Sequence, residues 1–221
     1  TDTLFDALFD AQGDVSQAQE NAFADFKKTG LPFIRQEAWK YTNLKPIEKL
    51  DLALSALEVG DDLPFYPQPI FEDSHKVFVL GFDVFYLNPD IQEILQVSEI
   101  KNNNDFRSGQ SLVSLNGAFT DQEITITLGD NEVLDTPIEV FYFSESGSFV
   151  NGRLRVSLGS NASLVLAEHF ASDDHAYSNY VTSIDMGDNA RMIHYVVQSE
   201  DESSYHTSTV DVDLHDNADY K

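Results

Sequence analysis

The chain has 221 residues, and its 13 lysines and arginines against 38 aspartates and glutamates give a formal net charge of −25. Over a Debye length of about 8 Å in physiological salt, this charge repels nucleic-acid phosphates and anionic lipid headgroups, so we expect neither a nucleic acid nor a membrane as partner. There is no cysteine, which excludes disulfides, thiolate metal sites and a cysteine nucleophile within these residues. No apolar stretch approaches the roughly 20 residues of a membrane span, and the acidic N-terminus does not resemble a secretory signal, so we expect a cytoplasmic protein.

The first 60 residues predict a small helical N-terminal domain. Apolar residues recur there at the spacing of an amphipathic helix. The recurring positions are Leu4, Phe5, Leu8, Phe9, Ala18, Ala22, Phe23 and Phe26. Gly30-Leu31-Pro32 ends this pattern, because glycine suits a helix C-cap and proline cannot continue a helix. A shorter helical segment is predicted from Arg35 to Leu44.

Residues 61–109 predict a linker with short elements of its own. Pro64, Pro67 and Pro69 indicate an extended chain, because proline fixes the backbone and lacks the amide hydrogen that regular structure needs. The elements predicted in this region are strands at 77–80 and 84–87, a helix at 91–100 and a break at 101–105.

From about residue 110 to the end, apolar and polar residues alternate, which is the period of a β-strand. A four-residue pattern recurs there at 128–131, 158–161, 186–189 and 214–217, at intervals of 30, 28 and 28 residues. Superimposing the last three copies aligns five columns of like residues. The columns are Val156, Ile184 and Val212; Leu158, Met186 and Leu214; Asn161, Asn189 and Asn217; Ala162, Ala190 and Ala218; and Leu164, Met192 and Tyr220.

This repeat predicts a mainly β fold, a right-handed parallel β-helix with a repeat of about 28 residues, preceded by the helical domain. Each coil of such a solenoid buries its apolar side chains against its neighbours, so inward columns must be alike. Asparagine tolerates the left-handed backbone of a tight corner, and stacked asparagines can bond along the axis. The alternative is a β-sandwich whose hairpins repeat by coincidence. Because the fourth copy stops within its second strand, we expect the β-helix of residues 110–221 to be incomplete at its C-terminus.

The sequence assigns no catalytic or metal-binding residue. His169, His175, His194 and His206 fall in different columns of the repeat, so they predict no preformed metal site. No phosphate-binding glycine loop, G-x-S-x-G elbow or H-E-x-x-H run occurs. Acid pairs such as 173–174 are typical of solvated faces, although a β-helix enzyme that cleaves polysaccharides would also use clustered acids.

Residues 27–49 differ from the rest of the chain in charge. They hold six of the thirteen basic residues against two acids, together with the single tryptophan. One interpretation is an amphipathic helix with Trp39 in the core and a solvated basic face. The other is a docking surface for a partner, formed by Arg35, Trp39, Lys40 and Tyr41, because Trp and Arg are enriched at interface hot spots.

At these residues the sequence resembles the SufB/SufD family of iron–sulfur cluster assembly scaffold proteins, over the N-terminal part of the family chain. The N-terminal motif is Gly30-Leu31-Pro32 followed by Arg35-x-Glu37-Ala38-Trp39-Lys40-Tyr41-Thr42-x-Leu44, which is similar to the SufD branch. The other matching positions are Leu115-Asn116-x-Ala118-Phe119, Pro137-Ile138, Asn179-x-Val181-Thr182, Ala190-Arg191-x-x-His194, Gln198 and His206.

The resemblance implies a non-catalytic scaffold subunit that helps to build and transfer iron–sulfur clusters, with SufB and the ATPase SufC as partners in the full-length complex. It implies that a cluster is held only by the full complex, so we expect no cofactor or metal on this chain alone. The family's later coils and C-terminal helical segment have no counterpart here, so no cluster ligand is carried over. The alternatives are a carbohydrate-active β-helix enzyme, lyase or hydrolase, and a purely structural β-solenoid.

Overall fold

Parallel strands are the main regular element of the structure, a computed structural model that describes residues 3–57, 67–80, 83–86, 89–100 and 110–221. The helices are α1 (Leu4–Ala11), α2 (Gln17–Thr29) and α3 (Ser111–Phe119), with 3₁₀ turns at Glu37–Trp39, Lys45–Lys49 and Pro89–Glu93. The strands are β1 (Ala53–Leu54), β2 (His75–Leu80), β3 (Asp83–Tyr86), β4 (Leu95–Glu99), β5 (Gln122–Leu128), β6 (Ile138–Ser144), β7 (Ser148–Leu158), β8 (Ser163–Ser172), β9 (Tyr177–Met186), β10 (Arg191–Ser199), β11 (Tyr205–Leu214) and β12 (Asp219–Tyr220).

From β5 onward, successive strands alternate between two sheets. One sheet has the order β11-β9-β7-β5-β4, with β1 paired to β7, and the other has the order β12-β10-β8-β6-β2-β3. Neighbouring strands of successive coils are parallel, and Leu158, Met186 and Leu214 lie side by side as the repeat predicts. The parallel β-solenoid is therefore confirmed, and the sandwich of antiparallel hairpins is wrong.

The inward columns of the solenoid form its hydrophobic core. Val156 and Ile184 are buried, and Val212 of the last described coil packs against the same core while partly exposed. Ala162 and Ala190 are also buried, directly after the corner where two coils approach closely. Successive coils pair in register, so the residues of one column lie side by side on the same face and share size and polarity.

The asparagine corner is confirmed in detail. Asn131, Asn161, Asn189 and Asn217 all adopt the left-handed backbone, with φ of 63°, 60°, 58° and 59°. The Asn161 amide nitrogen Nδ2 donates to Oδ1 of Asn131 at 3.0 Å, so this pair of side chains bonds along the solenoid axis. Backbone bonds between successive corners complete the stack, such as that from the Asn161 N–H to the Asp188 carbonyl at 2.8 Å.

The corner conformation makes a testable prediction at Asn189. We expect Asn189→Val to lower the free energy of unfolding by about 1–2 kcal/mol, because a β-branched residue is disfavoured in the left-handed region. Asn189→Gly should change it by less, since glycine adopts this backbone freely. Urea denaturation of the two variants measures the difference, and equal losses would contradict a backbone cause.

The N-terminal helices pack on the outer side of the first sheet. Both begin with a capping box, Thr3 with Asp6 and Ser16 with Gln19, and α2 ends at Gly30 with a φ of 64°. Hydrogen bonds from the backbone and side chain of Thr3 lower the pKa of the Asp6 carboxyl, which stabilises the start of α1. One hydrophobic cluster joins these helices to α3 and to β7 and β9. It includes Phe5, Phe23, Phe26, Leu115, Phe119, Phe149 and Tyr177.

Three predicted elements differ in the structure. Residues 91–100 are not a helix but a 3₁₀ turn followed by β4, because β4 pairs with β5 across the sheet and this pairing outweighs the local pattern. The segment from Arg35 to Leu44 has only a 3₁₀ turn, and α3 lies at 111–119, where strands were expected. The strands predicted at 77–80 and 84–87 correspond to β2 and β3, while the break at 101–105 and Pro64 lie outside the described residues.

Candidate functional site

The basic residues of 27–49 divide into two groups in the structure. Lys27 and Lys28, at the end of α2, contact Asp6 and Asp25 at 3.5 and 2.6 Å. The other four are exposed, and none of them forms an ion pair with any described residue. They are Arg35, Lys40, Lys45 and Lys49.

The four residues predicted as a docking surface lie together on the segment between α2 and the second 3₁₀ turn. Trp39 is half-buried and packs against the helical cluster, so it anchors the segment from below. Tyr41 is 91% exposed, and the Lys40 ammonium lies 5.4 Å from the centre of its ring. Arg35 is exposed as well, so the structure presents the cations and Tyr41 to solvent. The predicted amphipathic helix is wrong, because the segment has only a 3₁₀ turn, although Trp39 does contact the core. The docking surface stays a prediction.

A second group of polar side chains lies inside the solenoid. The buried Glu168 carboxylate accepts hydrogen bonds from Thr182 Oγ1 at 3.0 Å and from His194 Nε2 at 2.9 Å. The other ring nitrogen of His194, Nδ1, lies 2.9 Å from the Tyr220 hydroxyl. Burial, reinforced by the Glu168 carboxylate, raises the pKa of Tyr142 well above its ordinary value, so this phenol stays protonated.

A separate carboxylate–imidazole pair lies on the outer face of the second sheet. The Glu139 carboxylate contacts His169 Nε2 at 2.7 Å and accepts bonds from Ser74 Oγ at 2.6 Å and from the Ile70 N–H at 2.8 Å. Both members of the pair are fully buried. Burial favours the neutral acid, but the hydrogen bonds from Ser74, Ile70 and His169 outweigh it and lower the pKa of Glu139. The pair therefore fixes the 67–74 segment to the sheet.

The lowered pKa of Glu139 predicts a dependence of stability on pH. The stabilising contribution of Glu139 is fully present above the ordinary glutamate pKa of 4.5. It is lost as the pH falls through the lower pKa of the folded state. As the pH drops below 4.5, we expect the free energy of unfolding to fall more steeply in the wild type than in Glu139→Gln. Urea denaturation across the acid range measures the two slopes, with the exposed Glu37→Gln as control. Identical slopes in wild type and Glu139→Gln would contradict this reading.

A third pair, Glu200 and His206, lies at the last described coil, with Glu200 Oε1 3.0 Å from His206 Nδ1. These three histidines lie in different columns of the repeat, as the sequence predicts: His194 lies beside Leu166, His169 beside Val197 and His206 beside Ser178. Sequence reasoning missed the carboxylate partners. For two of the pairs a signal was available, because the acid precedes its histidine by close to one coil: 26 residues from Glu168 to His194 and 30 residues from Glu139 to His169.

Residues of the family-like motifs meet where α3 crosses the first sheet. Asn116 of α3 donates from Nδ2 to the carbonyls of Gly152 and Asn179 at 3.1 and 2.8 Å, and it accepts from Arg153 Nε at 2.6 Å. In return, Asn179 Nδ2 donates to the Leu112 carbonyl at 2.9 Å. Since these groups are buried and bonded to one another, the motif positions Asn116 and Asn179 clamp the helix to the solenoid.

The described residues contain no group of three or more His, Asp or Glu side chains placed to hold a metal ion. Within the same residues, no helix has the length and apolar character needed to cross a membrane. The buried polar groups of the solenoid hydrogen-bond to one another and so hold neighbouring strands and segments together. The exposed segment around Tyr41 can instead contact another molecule.

Part of the chain is similar to a known protein family. Residues 141–221 match the family model described as SUF system FeS cluster assembly, SufBD core domain. The matched range runs from within β6 to the end of β12 and contains the last three copies of the corner repeat. No curated protein matches the sequence. The match supports the SufB/SufD family and does not distinguish SufD from SufB.

Proposed function

We propose that this chain is a non-catalytic scaffold subunit of SUF iron–sulfur cluster assembly, of the SufD type, acting in the cytoplasm together with SufB and the ATPase SufC. The observation that carries the proposal is the match of residues 141–221 to the SufBD core domain. Those residues form consecutive coils of a parallel solenoid, so the match coincides with a folded structural unit.

The arrangement of polar groups supports a scaffold role. Glu139, Glu168 and His194 are buried and bonded to neighbouring side chains, so their interactions hold strands and segments together. Acids and bases that act on a substrate have to reach it, and these do not reach the surface. A rigid solenoid of this kind suits a platform on which other subunits assemble.

Two features support the finer parts of the proposal. The motif from Arg35 to Leu44 is similar to the SufD branch, and it includes the exposed residues Lys40 and Tyr41. The chain has no cysteine, the residue whose thiolate most often ligates iron–sulfur clusters. We therefore propose that the cluster is a cargo of the complex and that this chain alone holds neither cluster nor metal.

The experiment is to tag the chromosomal gene for this chain, purify the full-length product, and then delete the gene. We expect SufB and SufC to co-purify in fixed ratio, and we expect the activity of iron–sulfur enzymes to fall in the deletion strain under iron limitation. Reintroducing the gene should restore those activities. Unchanged iron–sulfur enzyme activities together with the absence of SufB and SufC from the purified material would overturn the proposal.

A further inference from the structure

We propose that the exposed segment around Tyr41 binds an acidic segment of a partner protein that also presents apolar side chains. The surface is formed by Phe33, Ile34, Arg35, Lys40 and Tyr41, and we call it the Tyr41 patch. This inference does not rest on the proposed role in cluster assembly, because it is carried by exposure, charge and backbone geometry.

The first observation is the exposure of large apolar side chains. Tyr41 is 91% exposed, Ile34 53% and Phe33 49%, all within nine residues of chain. A single exposed hydrophobic residue is normal, but several close together mark interaction sites. Aromatic side chains and arginine are also the residues most often found at the energetic centre of protein interfaces.

The second observation is the charge. In a chain with a net charge of −25, several cations elsewhere have acidic partners: Lys27 contacts Asp6, Lys28 contacts Asp25 and Arg155 contacts Glu123. Arg35 and Lys40 form no ion pair with a described residue, and the same is true of Lys45 and Lys49 just after the patch. Cations that pair with no described acid and that lie beside apolar side chains complement a partner segment that combines carboxylates with apolar groups.

The third observation is that the segment is held in place. Consecutive backbone bonds fold it, from the Gln36 N–H to the Phe33 carbonyl at 2.9 Å and from the Trp39 N–H to the Gln36 carbonyl at 2.9 Å. The half-buried Trp39 packs against the helical cluster below. A preformed surface loses less conformational entropy on binding, which favours affinity.

A protein segment fits this surface better than a nucleic acid or a membrane. A polyanion or an anionic bilayer extends past the patch and meets the acidic remainder of the chain, which repels it within a Debye length of about 8 Å. A short acidic segment contacts the patch alone. The apolar side chains of such a segment also pack against Phe33, Ile34 and Tyr41, which phosphate groups would leave exposed.

Trp39 provides the measurement, because it is the only tryptophan of the chain and belongs to the segment that carries the patch. The probe is a short tryptophan-free peptide in which glutamates alternate with leucine and phenylalanine, and the control peptide has lysine in place of glutamate. We expect the glutamate peptide to shift the Trp39 emission in a saturable, salt-sensitive way, and the lysine peptide to leave it unchanged.

Matched variants locate the binding. Arg35→Glu combined with Lys40→Glu should lower the affinity for the glutamate peptide about tenfold or more. Tyr41→Ala should lower it by a similar factor. Lys27→Glu combined with Lys28→Glu makes the same charge change on α2 and should have little effect. Circular dichroism verifies that each variant is folded. Equal effects of the two charge reversals, no response of Trp39, or tighter binding of oligothymidylate or phosphatidylserine vesicles than of the peptide would overturn the proposal.

Discussion

Ile184→Ala is expected to lower the free energy of unfolding by about 2–5 kcal/mol, the range for large-to-small changes in a packed core. Ile184 is 2% exposed and lies on β9 between Val156 and Val212 of the adjacent coils. Truncation would open a cavity that both neighbouring coils line. Because each coil is covered only by the next, the loss spreads to the interfaces on both sides.

The matched control is Ile193→Ala, the same chemical change on β10. Ile193 is 40% exposed, so its truncation removes little buried area and should cost well under half as much. Urea denaturation with a common m-value compares the two free energies. Similar losses at the two sites would mean that the column of Val156, Ile184 and Val212 is not the interior of the solenoid.

The repeat made the solenoid predictable, because a coil must present the same chemistry at the same position in every turn. The corner asparagines and the inward aliphatic columns were read from three copies, and the structure confirms both. Their determinants are local in sequence: a left-handed corner followed by a small residue and then by alternating side chains. The elements before the repeat had no such internal evidence.

The elements that sequence reasoning missed depend on partners far along the chain. Residues 95–99 form β4 because β5, more than twenty positions later, offers an edge to pair with. Likewise α3 is a helix clamped by Asn116 to strands at Gly152 and Asn179. Local spacing cannot reveal a partner that only the tertiary fold brings into contact.

The limit of reasoning from local sequence is clearest at two adjacent residues that belong to different buried pairs. Glu168 and His169 are neighbours in sequence, yet they do not pair with each other. Successive side chains of a strand point to opposite faces, so Glu168 points into the solenoid and meets His194, while His169 points outward and meets Glu139. The segment that holds Lys40 and Tyr41 could be singled out from the sequence by its unusual charge and its single tryptophan, but only the structure shows that these two side chains are exposed.

The second large effect on the free energy of unfolding is expected at the buried pair of Glu168 and His194 inside the solenoid. Glu168→Ala should lower the free energy of unfolding by about 3–5 kcal/mol, the cost of removing one partner from a buried pair. Without the carboxylate, His194 Nε2 and Thr182 Oγ1 lose their acceptor in a space lined by apolar side chains. An unpaired polar group there costs far more than the same group at the surface.

Replacing both members with leucine separates this effect from simple loss of volume. His194 lies beside Leu166 in the adjacent coil, so the strand already accommodates leucine at this register. We therefore expect Glu168→Leu with His194→Leu to be more stable than either single variant, because no charge or ring nitrogen is left without a partner. A double-mutant cycle measured by urea denaturation gives the coupling between the two positions. Additive losses would show that Glu168 and His194 act independently, and their side-chain contact would then add no stability to the backbone pairing of β8 with β10.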